Sequence, residues 1–147
     1  MLRPYELNDM ADKIRLRVVT PTRLVLDEEV DEVTGPGELG QFGVLPNHIA
    51  FLSTLVPGAL SYKQGAKTQT LAISGGYAEV LDNVMTVLAT AAEFPWEIDL
   101  ARAQRAKEQA EKVLAGLNYE EKNFEMAEAA LQKALVRLQL ASKEARR

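Results

Sequence analysis

A chain of 147 residues, 47% apolar and 26% charged, has the length and composition of one ordinary folded domain or a small domain with an appendage, which excludes disordered and low-complexity polymers. Cysteine is absent and His48 is the single histidine, so disulfide frameworks, thiolate sites, histidine metal clusters and most nucleophilic enzyme chemistry are excluded; no metal is expected. The net charge is −4 with no basic block in the first two thirds, and no apolar run approaches the ~18 residues that span a bilayer, which argues against nucleic acid as a partner and against membrane insertion.

The first thirteen residues carry Glu6, Asp9 and Asp12 and read as a polar lead-in without the apolar segment of a secretory signal. From Ile14 to about Thr90 the period is two. Ile14, Leu16 and Val18 alternate with Arg15, Arg17 and Val19, Pro21 closes the run, and Leu24/Leu26, Val30/Val33, Leu60/Tyr62 and Leu71/Ile73 continue the pattern expected of half-buried strands. Turn signals at Gly35-Pro36-Gly37, Pro46-Asn47, Pro57-Gly58, Gln64-Gly65, Gly75-Gly76 and Asp82-Asn83 break the chain into short strands, the pattern of a sandwich or flattened barrel. Tyr77 to Leu81, Asp82-Asn83 and Val84 to Leu88 read as a hairpin whose Asp-Asn pair tolerates left-handed backbone.

After Pro95 the period lengthens. Leu100, Ala103, Ala106, Ala110, Val113, Leu114 and Leu117 fall at helical spacing, with Asp99 placed as N-cap and Ala115-Gly116-Leu117-Asn118 as the stop. A second stripe runs from about Tyr119 to Ser142 through Phe124, Ala127, Leu131, Ala134, Leu138 and Ala141, so the two helices form an antiparallel hairpin. The expected fold is an N-terminal antiparallel β-sandwich or flattened barrel over residues 1–96 and a two-helix hairpin over 97–147. Alanine-rich stripes bury little apolar area, at ~25 cal/mol per Å², so the hairpin needs a docking surface and can act as a switch. Charge is divided along the same boundary: residues 1–96 hold 7 basic and 12 acidic side chains, residues 97–147 hold 10 and 9.

Gly35-Pro36-Gly37-Glu38-Leu39-Gly40 satisfies G-x-G-x-x-G, but no helical pattern follows to receive a pyrophosphate, so a glycine-rich loop between strands is the better reading. Ser74 lacks the glycine two residues earlier that a nucleophile elbow requires, and His48 reads as a hydrogen-bonded loop residue. Asp99 and Arg102 share the first helical turn, which reads as an N-cap with a local ion pair. Lys133 and Arg137, four residues apart, share one face of the second helix, with Lys143 and Arg146 further along it, a basic face suited to the helix dipole or to an acidic protein partner.

In order and spacing, the strings Gly37-Glu38-Leu39-Gly40, Gly43-Val44-Leu45-Pro46-Asn47-His48, Leu55-Val56-Pro57-Gly58, Ile73-Ser74-Gly75-Gly76-Tyr77-Ala78-Glu79-Val80, Asn83-Val84, Thr86-Val87-Leu88-Ala89 and Ala92-Glu93 closely resemble the ε-subunit family of bacterial and chloroplast F-type ATP synthases. The resemblance implies a non-catalytic subunit of the rotor's central stalk. Its sandwich would bind γ and rest on the c-ring, coupling proton or sodium flow to ATP synthesis in the α/β head. It also implies a peripheral position on the cytoplasmic face of the bacterial inner membrane, or on the stromal side of the plastid thylakoid. Glu38 and Leu39 correspond to the c-ring-facing loop. The hairpin corresponds to a regulatory arm that permits rotation when folded down and inhibits ATP hydrolysis when extended into the catalytic head, and Lys133, Arg137 and Lys143 match its basic head-contacting face.

Some bacterial relatives bind ATP at the folded-down hairpin through the pattern I-D-x-x-R-A, which Ile98-Asp99-Leu100-Ala101-Arg102-Ala103 fits, with Glu93 at the matching upstream position and Lys133 and Arg137 in the second helix. The resemblance thus implies no required cofactor and ATP as a regulatory ligand. Gln109 and Lys133 stand where that pattern has arginines, exchanges that weaken phosphate binding. A reading independent of rotation is a free-standing β-sandwich binding module with a helical dimerisation hairpin; an enzyme comes third, for want of a nucleophile, metal cluster or acid–base pair.

Overall fold

The computed structural model describes residues 12–117 and 123–145. Eight strands come first: β1 (Ile14–Val19), β2 (Leu24–Val30), β3 (Glu32–Gly37), β4 (Gly40–Val44), β5 (Phe51–Gln64), β6 (Lys67–Leu81), β7 (Val84–Ala89) and β8 (Ala92–Glu93). A 3-10 turn (Pro95–Glu97) then leads to helices α1 (Leu100–Ala115) and α2 (Phe124–Ala145). The expected lead-in up to residue 11, the stop at Asn118, the second helix's start at Tyr119 and the basic residue Arg146 lie outside the described residues.

The strands hydrogen-bond in the order β2-β1-β7-β6-β5-β3-β4, with β8 on β6. Because β2 and β4 end the order without pairing to each other, the fold is a sandwich and not a closed barrel. The alternating residues converge as expected: Ile14, Leu16, Val18, Val30, Val33, Val44, Leu60, Leu71, Ile73, Val80, Met85 and Val87 are fully buried in one core. One pairing, β1 with β7, is parallel in an otherwise antiparallel sandwich.

Three turn signals of the sequence lie inside strands. Pro57-Gly58 sits in β5, pairing with Ser74 and Ile73, and Gly75-Gly76 sits in β6. The missing Pro57 amide is tolerated because the β3–β5 register is broken at that point, between Thr34 and Gly37. Gly58 is required there, since a Cβ would lie 2.6 Å from the Pro36 ring. At Gly75-Gly76 the long strand turns the corner of the sandwich. β7 leaves β6 at Gly76↔Ala89 and β8 rejoins it at Ile73↔Ala92 in the same register, bridged by Thr90 N–H to the Gly75 carbonyl and Ser74 N–H to the Ala91 carbonyl, both 3.1 Å.

The Gly35-Pro36-Gly37 run is also strand, the end of β3, paired with β4 to leave Glu38 and Leu39 at the hairpin tip. Asp82 and Asn83 carry φ of 49° and 62°, the left-handed pair of a two-residue hairpin turn.

Asp99 caps α1, its carboxylate accepting from the Arg102 amide at 3.0 Å. The local Asp99–Arg102 ion pair is not formed; the carboxylate is committed to the backbone instead. The two helices pack on each other, and Ala103, Ala110, Ala127 and Ala134 are buried, whereas Leu100 and Val113 of the expected stripe remain exposed. The hairpin docks chiefly through α2, which contacts β5, β6 and the 3-10 turn and buries Leu140 and Ala141.

Candidate functional site: a cationic cavity between sandwich and hairpin

A cavity of about 600 Å³ opens where the corner of the sandwich faces the hairpin, within the range of small-molecule sites. Its sandwich wall is Ile73, Ser74, Thr90, Ala91 and Glu93; its helical wall is Arg102 and Ala106 from α1 and Ala130, Lys133, Ala134 and Arg137 from α2. The corner glycines create the step in the sheet, and the alanines keep the helices thin enough to leave the space open. Ser74 Oγ and Thr90 Oγ1 share a hydrogen bond of 3.0 Å on the rim.

Three cations and one carboxylate line this space. Arg137 donates through Nε to Glu93 Oε1 at 2.8 Å and through Nη2 to Glu93 Oε2 at 3.3 Å, a forked pair whose side chains are 21% and 28% exposed. Among the described residues the guanidinium of Arg102 and the ammonium of Lys133 have no carboxylate partner. Two uncommitted cations facing a concave wall favour an anion, with arginine suited to planar, paired contacts with phosphate oxygens. Below the cavity, Arg23 donates from Nη2 to Glu97 Oε2 at 2.9 Å, and the Phe94 amide donates to the same oxygen. The Arg23 hydrogen bond, opposed by partial burial and aided by the Phe94 amide, holds Glu97 below the ordinary carboxylate range.

Of the residues singled out in sequence, Glu93, Arg102, Lys133 and Arg137 line one cavity. Ile98, Asp99 and Ala103 do not: Ile98 follows the 3-10 turn, Asp99 caps α1 and Ala103 is buried. Ser74 and Thr90 form a wall that sequence reasoning missed; the sole signal was the polar Ser74 just before Gly75-Gly76. Lys143 borders a smaller hollow with Ser61, Thr70 and Leu140. Glu38 and Leu39 stand exposed at the β3–β4 hairpin tip and line no part of the cavity, with the Glu38 amide tied to the Thr54 carbonyl. His48 is the loop residue expected, its Nδ1 2.8 Å from the Ile49 carbonyl oxygen and its ring edge-on to Phe51. Among the described residues no three His, Asp or Glu side chains converge as a metal site would need, and no helix is long and apolar enough to cross a membrane.

A β-sandwich joined through a 3-10 turn to a docked two-helix hairpin, with a cation-lined cavity between them, defines the architecture of the chain. The β-sandwich domain model of the ATP synthase delta/epsilon chain matches residues 13–95, and that family's long α-helix domain model matches residues 97–142. The chain belongs to the ATP synthase delta/epsilon family, on its bacterial-type F-type epsilon branch. It is 49% identical to the ATP synthase epsilon chain of Citrifermentans bemidjiense over 94% of its length and all of that relative. It is 50% identical to that of Geotalea daltonii, with the same coverage, and 52% identical to that of Syntrophobacter fumaroxidans over 91% of this chain and 99% of the relative. Among solved structures, a chain of the Euglena gracilis mitochondrial ATP synthase (OSCP/F1/c-ring) superposes with a TM-score of 0.71 at 27% identity, covering 92% of this chain and 82% of that one. A chain of the Tetrahymena thermophila mitochondrial ATP synthase central stalk and c-ring shares the fold, with a TM-score of 0.54 at 15% identity. Family membership makes the chain a non-catalytic subunit of the synthase and sets aside the free-standing module.

Proposed function

We propose that the chain is a central-stalk rotor subunit that couples the c-ring and γ to the α/β head and restrains ATP hydrolysis through its hairpin, with ATP as the ligand that keeps the hairpin down. The cavity carries this reading, because Arg102, Lys133 and Arg137 from both helices face Ser74, Thr90 and Glu93 of the sandwich across it. A polyphosphate bound there touches both parts and favours the compact state by its differential affinity. The exposed apolar residues Leu52, Tyr77, Leu81 and Leu88 on β5, β6 and β7 supply a face of the kind γ would cover. Glu38 and Leu39 at the hairpin tip are free to meet the c-ring. In the folded-down state Lys133 and Arg137 line the cavity, so full contact of these two with the head requires the hairpin to leave the sandwich, whereas Lys143 is exposed as it stands. The coupling ion is H⁺ or Na⁺, and the location is the cytoplasmic face of a bacterial inner membrane.

The test is isothermal titration of the full chain with ATP beside an Arg102→Ala variant. Saturable binding that is lost in the variant supports the sensor. No heat up to millimolar ATP overturns gating and leaves regulation to the basic face of α2.

A further inference from the structure

Arg137 faces two kinds of acceptor. Its guanidinium lines the cavity, and its Nε and Nη2 donate to the two oxygens of Glu93, which leaves Nη1 for another acceptor and sets a carboxylate among the cavity's cations. Among the described residues this is the one ion pair that joins a helix of the hairpin to a strand of the sandwich; Arg23–Glu97 ties only the 3-10 turn, and Lys107–Glu111 lies within α1. The residues of α2 that are buried are apolar, Ala134, Leu140 and Ala141 among them, so the pair is the directional, charged contact of the docked geometry. A forked, partly buried arginine–carboxylate contact has directional strength that a surface pair lacks.

We propose that Glu93–Arg137 is a latch that holds the hairpin on the sandwich while the cavity is empty, and that a polyphosphate replaces this latch instead of adding to it. The exchange rests on the nucleotide reading above; the latch does not. A phosphate chain reaching Arg102 and Lys133 draws the Arg137 fork from Glu93 and brings negative charge beside the released carboxylate. Glu93 is thus at once the internal stand-in for the ligand and its competitor. Binding is weakened by the cost of opening the latch, and the compact state persists without ligand. Neutralising Glu93 should therefore have opposite effects on docking and on binding. The empty hairpin docks less well, which lowers apparent affinity by the docked fraction, while the docked form itself binds the anion more tightly, because no carboxylate competes for Arg137.

The chain has no cysteine, so a donor and an acceptor dye can be placed at Thr68→Cys and Ser142→Cys, exposed positions on β6 and α2, and energy transfer read in the full chain. Inorganic tripolyphosphate and ATP are titrated into the same protein. Expected for Glu93→Gln is reduced transfer without ligand, about fivefold tighter tripolyphosphate binding to the docked form once the docked fraction read from the transfer is divided out, and recovery of transfer on saturation. Arg137→Gln should lose both transfer and binding, and the exchanged pair Glu93→Arg with Arg137→Glu should regain transfer. Unchanged transfer in Glu93→Gln, or an exchanged pair that stays open, overturns the latch. Tripolyphosphate binding to the docked form of Glu93→Gln that is equal or weaker, after division by the docked fraction read from the transfer, overturns the exchange. If neither the natural chain nor Glu93→Gln binds tripolyphosphate or ATP, the nucleotide reading falls and the exchange with it, while the transfer still decides the latch.

Discussion

At Gly76 the backbone of β6 passes so close to β7 that an added Cβ would lie 2.0 Å from the Leu88 carbonyl oxygen, at a φ of +136°. Both facts exclude a side chain: the first by overlap with backbone that cannot swing away, the second by the conformational preference of L-residues. Gly76→Ala is therefore expected to destabilise the chain by roughly 2–4 kcal/mol, in the range of strained backbone and overpacking, measured by urea unfolding. Gly43, in β4, has nothing within 4 Å of a built Cβ, and Gly43→Ala serves as the control, expected within about 0.5 kcal/mol of the natural chain. Equal effects at the two sites would contradict the close approach. Phe42 plays the complementary part: its ring covers Gly35 and Gly37, where a Cβ would lie within 3 Å of ring atoms, so the glycines of the G-x-G-x-x-G run make room for an aromatic side chain and not for a phosphate.

Among elements, the 3-10 turn decides how the hairpin leaves the sandwich. Phe94 and Trp96 stack at 4.6 Å within 6° of parallel, Arg23 and the Phe94 amide both reach Glu97, and α2 packs on the turn. Glu97 has its folded pKa lowered first by the Arg23 hydrogen bond. Asp31 is lowered first by Lys13 and then by the Gly65 amide. For a lowered carboxylate the sign is fixed: its contribution is present above the unfolded value of about 4 and is lost as pH falls through the lower folded value. Unfolding stability should thus drop on acidification below about pH 4. Glu97→Gln should show a shallower drop, followed by the fluorescence of Trp96, the single tryptophan. An identical acid profile in the variant would remove Glu97 from the account.

At the scale of the molecule, two cores of different quality are joined. The sandwich core runs from Ile14 to Ala92 and includes no hairpin residue, whereas the buried residues of the hairpin are mostly alanine, so burial stabilises the first far more than the second. Deleting residues 97–147 should leave a sandwich that unfolds cooperatively and still binds γ, and should relieve any restraint on ATP hydrolysis in the assembled synthase. Thermal melting of the truncated chain and the hydrolysis rate of the complex carrying it check the two halves. A molten sandwich, or a restraint that survives the deletion, contradicts the division of labour.

Sequence by itself determined what neighbours along the chain control. The period of two in Ile14-Leu16-Val18, the left-handed turn at Asp82-Asn83, the cap at Asp99 and the alanine stripes follow from torsional preference and burial period acting over a few residues. Family strings narrowed the rest, and they pointed to Glu93, Arg102, Lys133 and Arg137 before any geometry was known. Tertiary structure alone decided that Pro57-Gly58 and Gly75-Gly76 run on as strand, because adjacent strands supply the pairing that local turn propensity opposes. It also decided that Ser74 and Thr90 wall a cavity, and that Arg137 spans 44 residues of sequence to meet Glu93. Such a pairing depends on how the hairpin lies against the corner of the sheet, a distance set by packing between two bodies, and no spacing within either one encodes it.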